Sequence, residues 1–228
     1  MFTQLKNLFF PKVCAGCDAF LLPSEDVICT FCRHHLPLTN HYLTNDNEAF
    51  KKFYGKIPAE FVSTFVYFHK KGIVQEMIHN LKYRAHEEIG TVIGNWFGEN
   101  LKSVAIIKTI DEIIPVPLHK KRLQERGYNQ VTTFGVALSK KLLIRYNDKL
   151  LQRNVYSKTQ TKKNLLHRME AGNRSLFDVT FSEADYNKHY LLIDDVLTTG
   201  STLEACAHAL LKIPGAKVSI VCIAMSHS

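Results

Sequence analysis

The chain has 228 residues, of which 46% are hydrophobic and 22% are charged, and its formal net charge is +8. This composition excludes an intrinsically disordered chain, and the length allows one domain with a sizeable core plus a small accessory module. No apolar run is long enough to cross a bilayer or to act as a signal peptide, so we expect a cytoplasmic protein without membrane insertion. The positive charge favours anionic partners, either nucleic acids or phosphorylated metabolites.

Residues 1–40 contain two C-x-x-C pairs, Cys14 with Cys17 and Cys29 with Cys32. Each pair can direct two thiolates at one metal ion, and two pairs complete a closed tetrahedral Zn²⁺ site. A thiol–disulfide pair and an iron–sulfur site are the alternatives, and the first lacks the βαβ context of thioredoxin-like motifs. We predict a small four-cysteine zinc ribbon or finger, whose role is structural because four thiolates leave no position for a substrate.

Residues 41–60 are polar and aperiodic, which predicts a linker or an irregular connection. From residue 61 to residue 228, strand-like and helix-like segments alternate, which is typical of an α/β domain with a parallel sheet flanked by helices. The first of these segments, 61–68, is rich in β-branched and aromatic residues and is predicted to be a strand.

Three later segments place apolar residues along one face at helical spacing. The predicted core positions are Ile73, Met77 and Leu81; Val92, Trp96 and Leu101; and Val131, Phe134, Leu138 and Leu142. Between the second and third helices, a short strand is predicted to stop at Pro115 and Pro117, and a cation-rich stretch follows it. Residues 152–174 are basic and aperiodic, and loops of that length in a compact domain tend to be lids or binding loops.

Two adjacent carboxylates, Asp194 and Asp195, directly follow the apolar run 191–193, which predicts a strand buried on both faces. Desolvating two like charges at a strand end is unfavourable, so we expect the pair to serve a ligand. Carboxylates at this place can accept hydrogen bonds from sugar hydroxyls.

The segment after the acids, 198–202, supplies hydroxyl groups and a glycine before the next helix. Ser201 and Glu204 have capping-box spacing, so the helix is predicted to start there. Because a helix N-terminus with free N–H groups binds phosphate, the predicted ligand is a sugar phosphate. The alternative is an N-capped helix after an acidic turn, with no ligand.

The string DDVLTTGST, beginning at Asp194, resembles the binding motif for 5-phosphoribosyl 1-pyrophosphate (PRPP) of type I phosphoribosyltransferases. Together with PVPLH at 115–119, RGYNQ at 126–130 and the N-terminal cysteine pairs, it resembles the ComF family of competence-associated proteins. The similarity extends over nearly the whole chain. It includes LKY, 81–83, but departs from the family directly after it, where relatives often have a glycine and this chain has Arg84 and Ala85, so no role is carried onto that stretch.

The resemblance implies a type I phosphoribosyltransferase-like domain that binds Mg²⁺-PRPP, or a related 5-phosphoribosyl ligand, and takes part in DNA uptake during natural transformation. It does not decide whether the chain is an enzyme, a phosphoribosyltransferase with an unknown acceptor. The alternative is a non-catalytic protein on this scaffold that binds single-stranded DNA or a competence helicase. A third interpretation gives the zinc module only a stabilising role.

The family motifs also imply three sets of site residues. The PRPP-binding set is Asp194, Asp195, Val196, Leu197, Thr198, Thr199, Gly200, Ser201 and Thr202. The pyrophosphate loop is Pro117, Leu118, His119, Lys120, Lys121 and Arg122. The hood loop that would close over the ligand contributes Arg153, Lys158, Thr159 and Gln160.

Overall fold

The computed structural model describes residues 11–154 and 176–226. Its strands are β1 (Ala59–Phe68), β2 (Glu112–Pro115), β3 (Arg145–Tyr146), β4 (Leu151–Arg153), β5 (Phe177–Val179), β6 (His189–Leu197) and β7 (Lys217–Ser226). Five of them form a sheet in the order β1-β7-β6-β2-β3, in which every pairing is parallel. Strands β4 and β5 form a separate antiparallel ribbon. The predicted parallel sheet is therefore confirmed.

Helices cover both faces of this sheet. They are α1 (Thr30–His34), α2 (Glu48–Lys51), α3 (Ile73–Tyr83), α4 (Glu88–Leu101), α5 (Lys120–Arg126), α6 (Thr132–Leu142) and α7 (Ser201–Leu210). Helices α3, α4 and α6 bury side chains in one core cluster, and α2 and α7 do so in the other, so the sheet is sandwiched between two cores. Within the described part of the chain, none of the helices combines the length and apolarity that a membrane crossing requires.

The buried face of α4 differs from the one predicted by apolar spacing. Leu101 is buried as predicted, and Ile93 and Phe97 are also buried, whereas the predicted core residues Val92 and Trp96 are only partly buried. The difference arises because α4 packs on α6 through glycines rather than through large side chains. A Cβ atom added at Gly94 would lie 2.7 Å from the carbonyl oxygen of Phe134, so the two helices approach more closely than side chains would allow.

The cysteine-containing segment packs directly on α3. The Asn80 side chain donates a 2.9 Å hydrogen bond to the carbonyl oxygen of Ala15. A Cβ atom at Gly16 would lie 2.7 Å from Cγ2 of Ile73, so this contact is also tight. The segment thus shares the core cluster of α3, α4 and α6.

The segment predicted as a connection, 41–60, contains a 3₁₀ turn at His41–Leu43 and helix α2. Its residues Phe53 and Ile57 are buried in the core on the α7 side of the sheet. The division into a module at 1–40, a connection at 41–60 and a domain at 61–228 stays a prediction.

Candidate functional site

The four N-terminal cysteines converge on one point. The Sγ atoms of Cys14, Cys17, Cys29 and Cys32 all lie within 4.8 Å of one another, and all but Cys17 are buried. Backbone N–H groups point at the sulfurs: that of Cys29 lies 3.2 Å from Cys14 Sγ, and that of Cys32 lies 3.4 Å from Cys29 Sγ. Such a set of thiols can hold a structural metal ion.

The surroundings of the Cys14 thiol lower its pKa and so favour the thiolate form that a metal ion requires. Burial raises its pKa, but hydrogen bonds from the backbone N–H groups of Cys29, Gly16 and Cys17 outweigh burial and lower that pKa to about 7. A thiolate is the form that binds metal ions, so the local backbone favours metal binding at this position.

The acid pair lies inside strand β6, which is a correction to the expectation that it follows the strand. Asp194 is paired with Cys222 of β7, and the ladder continues to Leu197, paired with Met225. The strand extends because the long neighbouring strand β7 supplies partners up to its end. Since successive side chains of a strand point to opposite faces, the two adjacent acids face opposite sides of the sheet.

Asp195 is buried and is held by two side chains. Lys82 at the end of α3 places its Nζ atom 3.0 Å from Oδ2 of Asp195. Gln130, just before α6, donates a 2.6 Å hydrogen bond to the same oxygen, and Arg126 of α5 donates to Gln130 at 2.7 Å. Asp195 therefore links the central strand to α3 directly, and to α5 through Gln130.

Asp194 faces the α7 side of the sheet and is partly buried. Burial, and then the charge of Asp195, raise the pKa of Asp194 above its ordinary value. Its Oδ1 accepts a 2.9 Å hydrogen bond from the backbone N–H of Asp195. Among the described residues, no Lys, Arg or His nitrogen forms an ion pair with Asp194, so this carboxyl is the more available of the two.

The segment 198–202 leads from β6 into α7 and presents polar groups to solvent. Thr198, Thr199, Ser201 and Thr202 are exposed. Gly200 has a φ of +84°, and a Cβ atom there would lie 3.1 Å from the ring of Phe53, so both conformation and space favour glycine.

The predicted capping box at Ser201 and Glu204 is wrong, although the helix does begin where it was expected. The N-cap position is Gly200, which has no side chain to cap the helix, and Ser201 is the first helical residue. Thr199 Oγ1 accepts a 3.5 Å hydrogen bond from the N–H of Ser201, so the N–H groups that follow in the first turn of α7 are the ones that can meet an anion.

The predicted pyrophosphate loop lies at the same edge of the sheet. Strand β2 runs parallel to β6, and Pro115 pairs with Ile193, so residues 117–122 leave β2 beside the acids. Pro117 and Leu118 are partly buried, and the remaining loop residues are exposed: His119, Lys120, Lys121 and Arg122. The His119 ring caps α5 by accepting a hydrogen bond from the N–H of Lys121.

A cleft of about 550 Å³ opens between α5 and the end of α3. Cationic and aromatic side chains dominate its lining, which includes Lys82, Tyr83, Arg84, Arg122, Arg126 and Tyr128. The guanidinium of Arg126 lies over the ring of Tyr83, 5.1 Å from its centroid. The cleft is thus suited to an anionic ligand that carries a planar group.

Of the predicted hood residues, Arg153 lies in β4, with its guanidinium 5.3 Å from the ring centroid of Phe177. Lys158, Thr159 and Gln160 lie outside the described residues.

Comparison with known proteins gave one set of relatives, and a scan against family models gave no match. Competence protein ComFC of Bacillus subtilis (strain 168) is 28% identical over 209 residues, which are 88% of this chain and 78% of that protein. DNA utilization protein YhgH of Escherichia coli (strain K12) is 27% identical over 151 residues, 64% of this chain and 65% of that protein. Competence protein F of Haemophilus influenzae is 32% identical over 108 residues, 47% of each chain. These relatives support the resemblance to the ComF family that the sequence motifs indicate.

Solved structures similar to this chain include two adenine phosphoribosyltransferases. That of Leishmania donovani overlays with a TM-score of 0.36 and 15% identity, covering 63% of this chain and 67% of that chain. That of Leishmania tarentolae also has a TM-score of 0.36, with 13% identity, covering 80% of this chain and 89% of that chain. The α/β fold is established by the parallel sheet itself rather than by these overlays.

Two residues of this site, Lys82 and Gln130, were not among the predicted site residues. Both occur in stretches that carry the family resemblance, LKY and RGYNQ, but nothing in the local sequence connects them to an acid more than 60 positions away. Only the tertiary packing of α3 and α6 on β6 brings them to Asp195.

Proposed function

We propose that this protein binds Mg²⁺-PRPP, or a related 5-phosphoribosyl ligand, at the carboxyl edge of the sheet. The observation that supports the proposal best is the path of the chain from β6 into α7. Two acids are followed within a few residues by exposed hydroxyls, a glycine with positive φ and the N-terminus of α7, whose N-cap residue has no side chain. Such an edge, beyond the carboxyl ends of parallel strands, is where ligands bind in open α/β sheets.

In the proposed complex, the residues at 198–202 and the N-terminus of α7 hold the 5′-phosphate. The Asp194–Asp195 region accepts hydrogen bonds from the ribose hydroxyls, and the cations of 120–122 face the pyrophosphate. Mg²⁺ arrives with the ligand, because it binds mainly through phosphate oxygens and water and neutralises their charge.

The same arrangement supports phosphoribosyl transfer. In that reaction an acceptor nucleophile forms a bond to C1 of the ribose while the C1–O bond breaks and pyrophosphate leaves with the electron pair. The chain would bind and orient the reactants and exclude water, a contribution that can lower the barrier substantially. The acceptor is not defined by the described residues.

We place this activity in DNA uptake, and we assign the protein to the cytoplasm. The relatives' names, "Competence protein" and "DNA utilization protein", support a role in handling DNA. We further propose that Zn²⁺ occupies the four-cysteine cluster, because four converging thiolates are a common structural zinc site.

Binding of single-stranded DNA is a second candidate function, and the cleft supports it. Tyr83 is 65% exposed and carries Arg126 on its ring, a combination on which bases stack while cations contact phosphates. DNA binding of this kind weakens steeply with salt. An affinity for a single-stranded oligonucleotide that does not change between low and high salt would contradict this candidate, as would unchanged affinity in Tyr83→Ala.

Calorimetric titration with Mg²⁺-PRPP tests the main proposal. We expect one site per chain in the zinc-loaded protein, and we expect Asp194→Asn to weaken binding by about 10-fold or more, because a carboxamide nitrogen replaces a carboxyl oxygen that accepts a hydrogen bond from the ribose. The matched control is Glu99→Gln, which alters an exposed acid on α4. Absence of binding to the folded, zinc-loaded wild type would overturn the proposal.

A further inference from the structure

The acids of the motif have different surroundings, although they are neighbours in sequence. Asp195 is 5% exposed and receives Lys82 and Gln130 on one of its oxygens. Asp194, on the other face of β6, receives the backbone N–H of Asp195 and, among the described residues, no cationic side chain within 4.0 Å. Equivalent roles for the two carboxyl groups are therefore hard to reconcile with their contacts.

A second buried acid in the same sheet shows how this fold holds a structural carboxylate. Glu112, at the start of β2, is 3% exposed. Lys188 Nζ lies 3.0 Å from one of its oxygens, and Asn147 Nδ2 lies 2.7 Å from the other. One lysine and one carboxamide also hold Asp195, so the two buried acids share this pair of donors, to which Arg145 adds a 3.6 Å ion pair at Glu112.

The position of Lys82 strengthens this comparison. Its side chain is 21% exposed, while most other ion-pairing lysines of the described chain are far more exposed. Lys82 occupies the last turn of α3, and its contact with Asp195 joins that helix to the central strand. Removing one partner of a desolvated ion pair leaves the other charge uncompensated, which is strongly destabilising.

We infer that the two acids have different roles. Asp195 is a structural acid held in place by Lys82 and Gln130, and Asp194 is the acid that contacts the ligand. Lys82 is then a positioning residue, which acts through Asp195 to fix the position of α3 relative to the motif. The part that concerns Asp194 rests on the proposed function, whereas the part that concerns Lys82 and Asp195 does not.

Thermal unfolding tests the structural half without any ligand. We expect Lys82→Met and Asp195→Asn each to lower the melting temperature by roughly 5 °C or more. The double variant should melt no lower than the less stable single variant, because both remove the same interaction. The control is Lys102→Met, which breaks an exposed ion pair with Glu99 and should change little. If the loss of melting temperature in the double variant equals the sum of the losses in the two single variants, the inference is wrong.

Titration with Mg²⁺-PRPP at a temperature where all variants are folded tests the other half. We expect Asp194→Asn to lose about 10-fold or more in affinity without loss of melting temperature. Lys82→Met should lose less affinity for Mg²⁺-PRPP than Asp194→Asn does. Lys82→Arg, which keeps the positive charge, should bind with an affinity close to that of the wild type. The inference is wrong if Asp195→Asn loses as much affinity as Asp194→Asn while keeping the wild-type melting temperature.

Failure of the proposed function can be distinguished from failure of the inferred roles of the two acids. If the wild type binds no Mg²⁺-PRPP, the proposed function falls, while the melting temperatures still decide whether Lys82 and Asp195 form one structural unit. If the wild type binds but the melting losses add, the proposed function stands and the division of roles falls.

Discussion

Asp194 shows how strongly its surroundings determine the chemistry of a single residue. Its carboxyl is desolvated among the side chains on the α7 side of the sheet and lies next to a second carboxylate, and both effects disfavour the charged form. Lys82 lowers the pKa of Asp194, but it pairs with the neighbouring acid rather than with Asp194 itself. Ionisation of Asp194 in the folded state therefore has a cost in stability.

This cost predicts a pH dependence of folding. Burial and the Asp195 charge raise the Asp194 pKa from 3.8 to about 8, so between these values the folded state holds a proton that the unfolded chain has released. Raising the pH through this window therefore destabilises the wild type relative to Asp194→Asn. We expect the stability of the variant relative to wild type, from urea unfolding, to increase by more than about 1 kcal/mol between pH 5 and pH 8. A constant difference across this range would contradict the prediction.

At the scale of elements, the packing of α4 on α6 sets the position of one wall of the site. Gly94 lies against the backbone of Phe134 and the Cβ atom of Ala137, so α6 approaches α4 closely. Gln130, which donates to Asp195, lies two residues before α6. A change in the spacing of these helices would therefore move a residue of the acid network.

We predict that Gly94→Val destabilises the protein by roughly 1–3 kcal/mol, because the added atoms meet backbone that cannot move aside. The control is Asn95→Val, the neighbouring exposed position on the same helix. Chemical denaturation of both variants measures the difference. Equal stability of the two variants would show that the α4–α6 interface can open at little cost.

At the scale of the whole molecule, α3 connects the cysteine cluster to the candidate ligand site. The helix contacts the cysteine segment through Ile73 and Asn80, and its last turn delivers Lys82 to Asp195. Both contacts lie along one rigid helix of 11 residues. A structural change at the cysteines can therefore move α3 and alter the contact of Lys82 with Asp195.

We predict that removing the metal with a chelator increases amide hydrogen exchange in residues 73–83 as well as around the cysteines, because metal binding contributes folding energy. Helix α7, which packs on the opposite face of the sheet, should remain protected and is the internal control. Metal analysis before treatment should give one zinc ion per chain. Exchange that rises only around the cysteines would show that the segment does not support α3.

The local sequence determined the secondary structure and the motif, and the tertiary structure determined which groups meet. Strand β1, helix α3 and the glycine loop before α7 were predicted from periodicity and residue type, because these features depend on neighbouring residues. The buried face of α4 was predicted only in part: Leu101 is buried as expected, but Ile93 and Phe97 were missed, because glycines define the contact with α6 and carry no apolar signal. The difference between Asp194 and Asp195 also escaped the sequence, since it depends on the length of β7 and on Lys82 and Gln130, which reach the site only when α3 and α6 pack against the sheet.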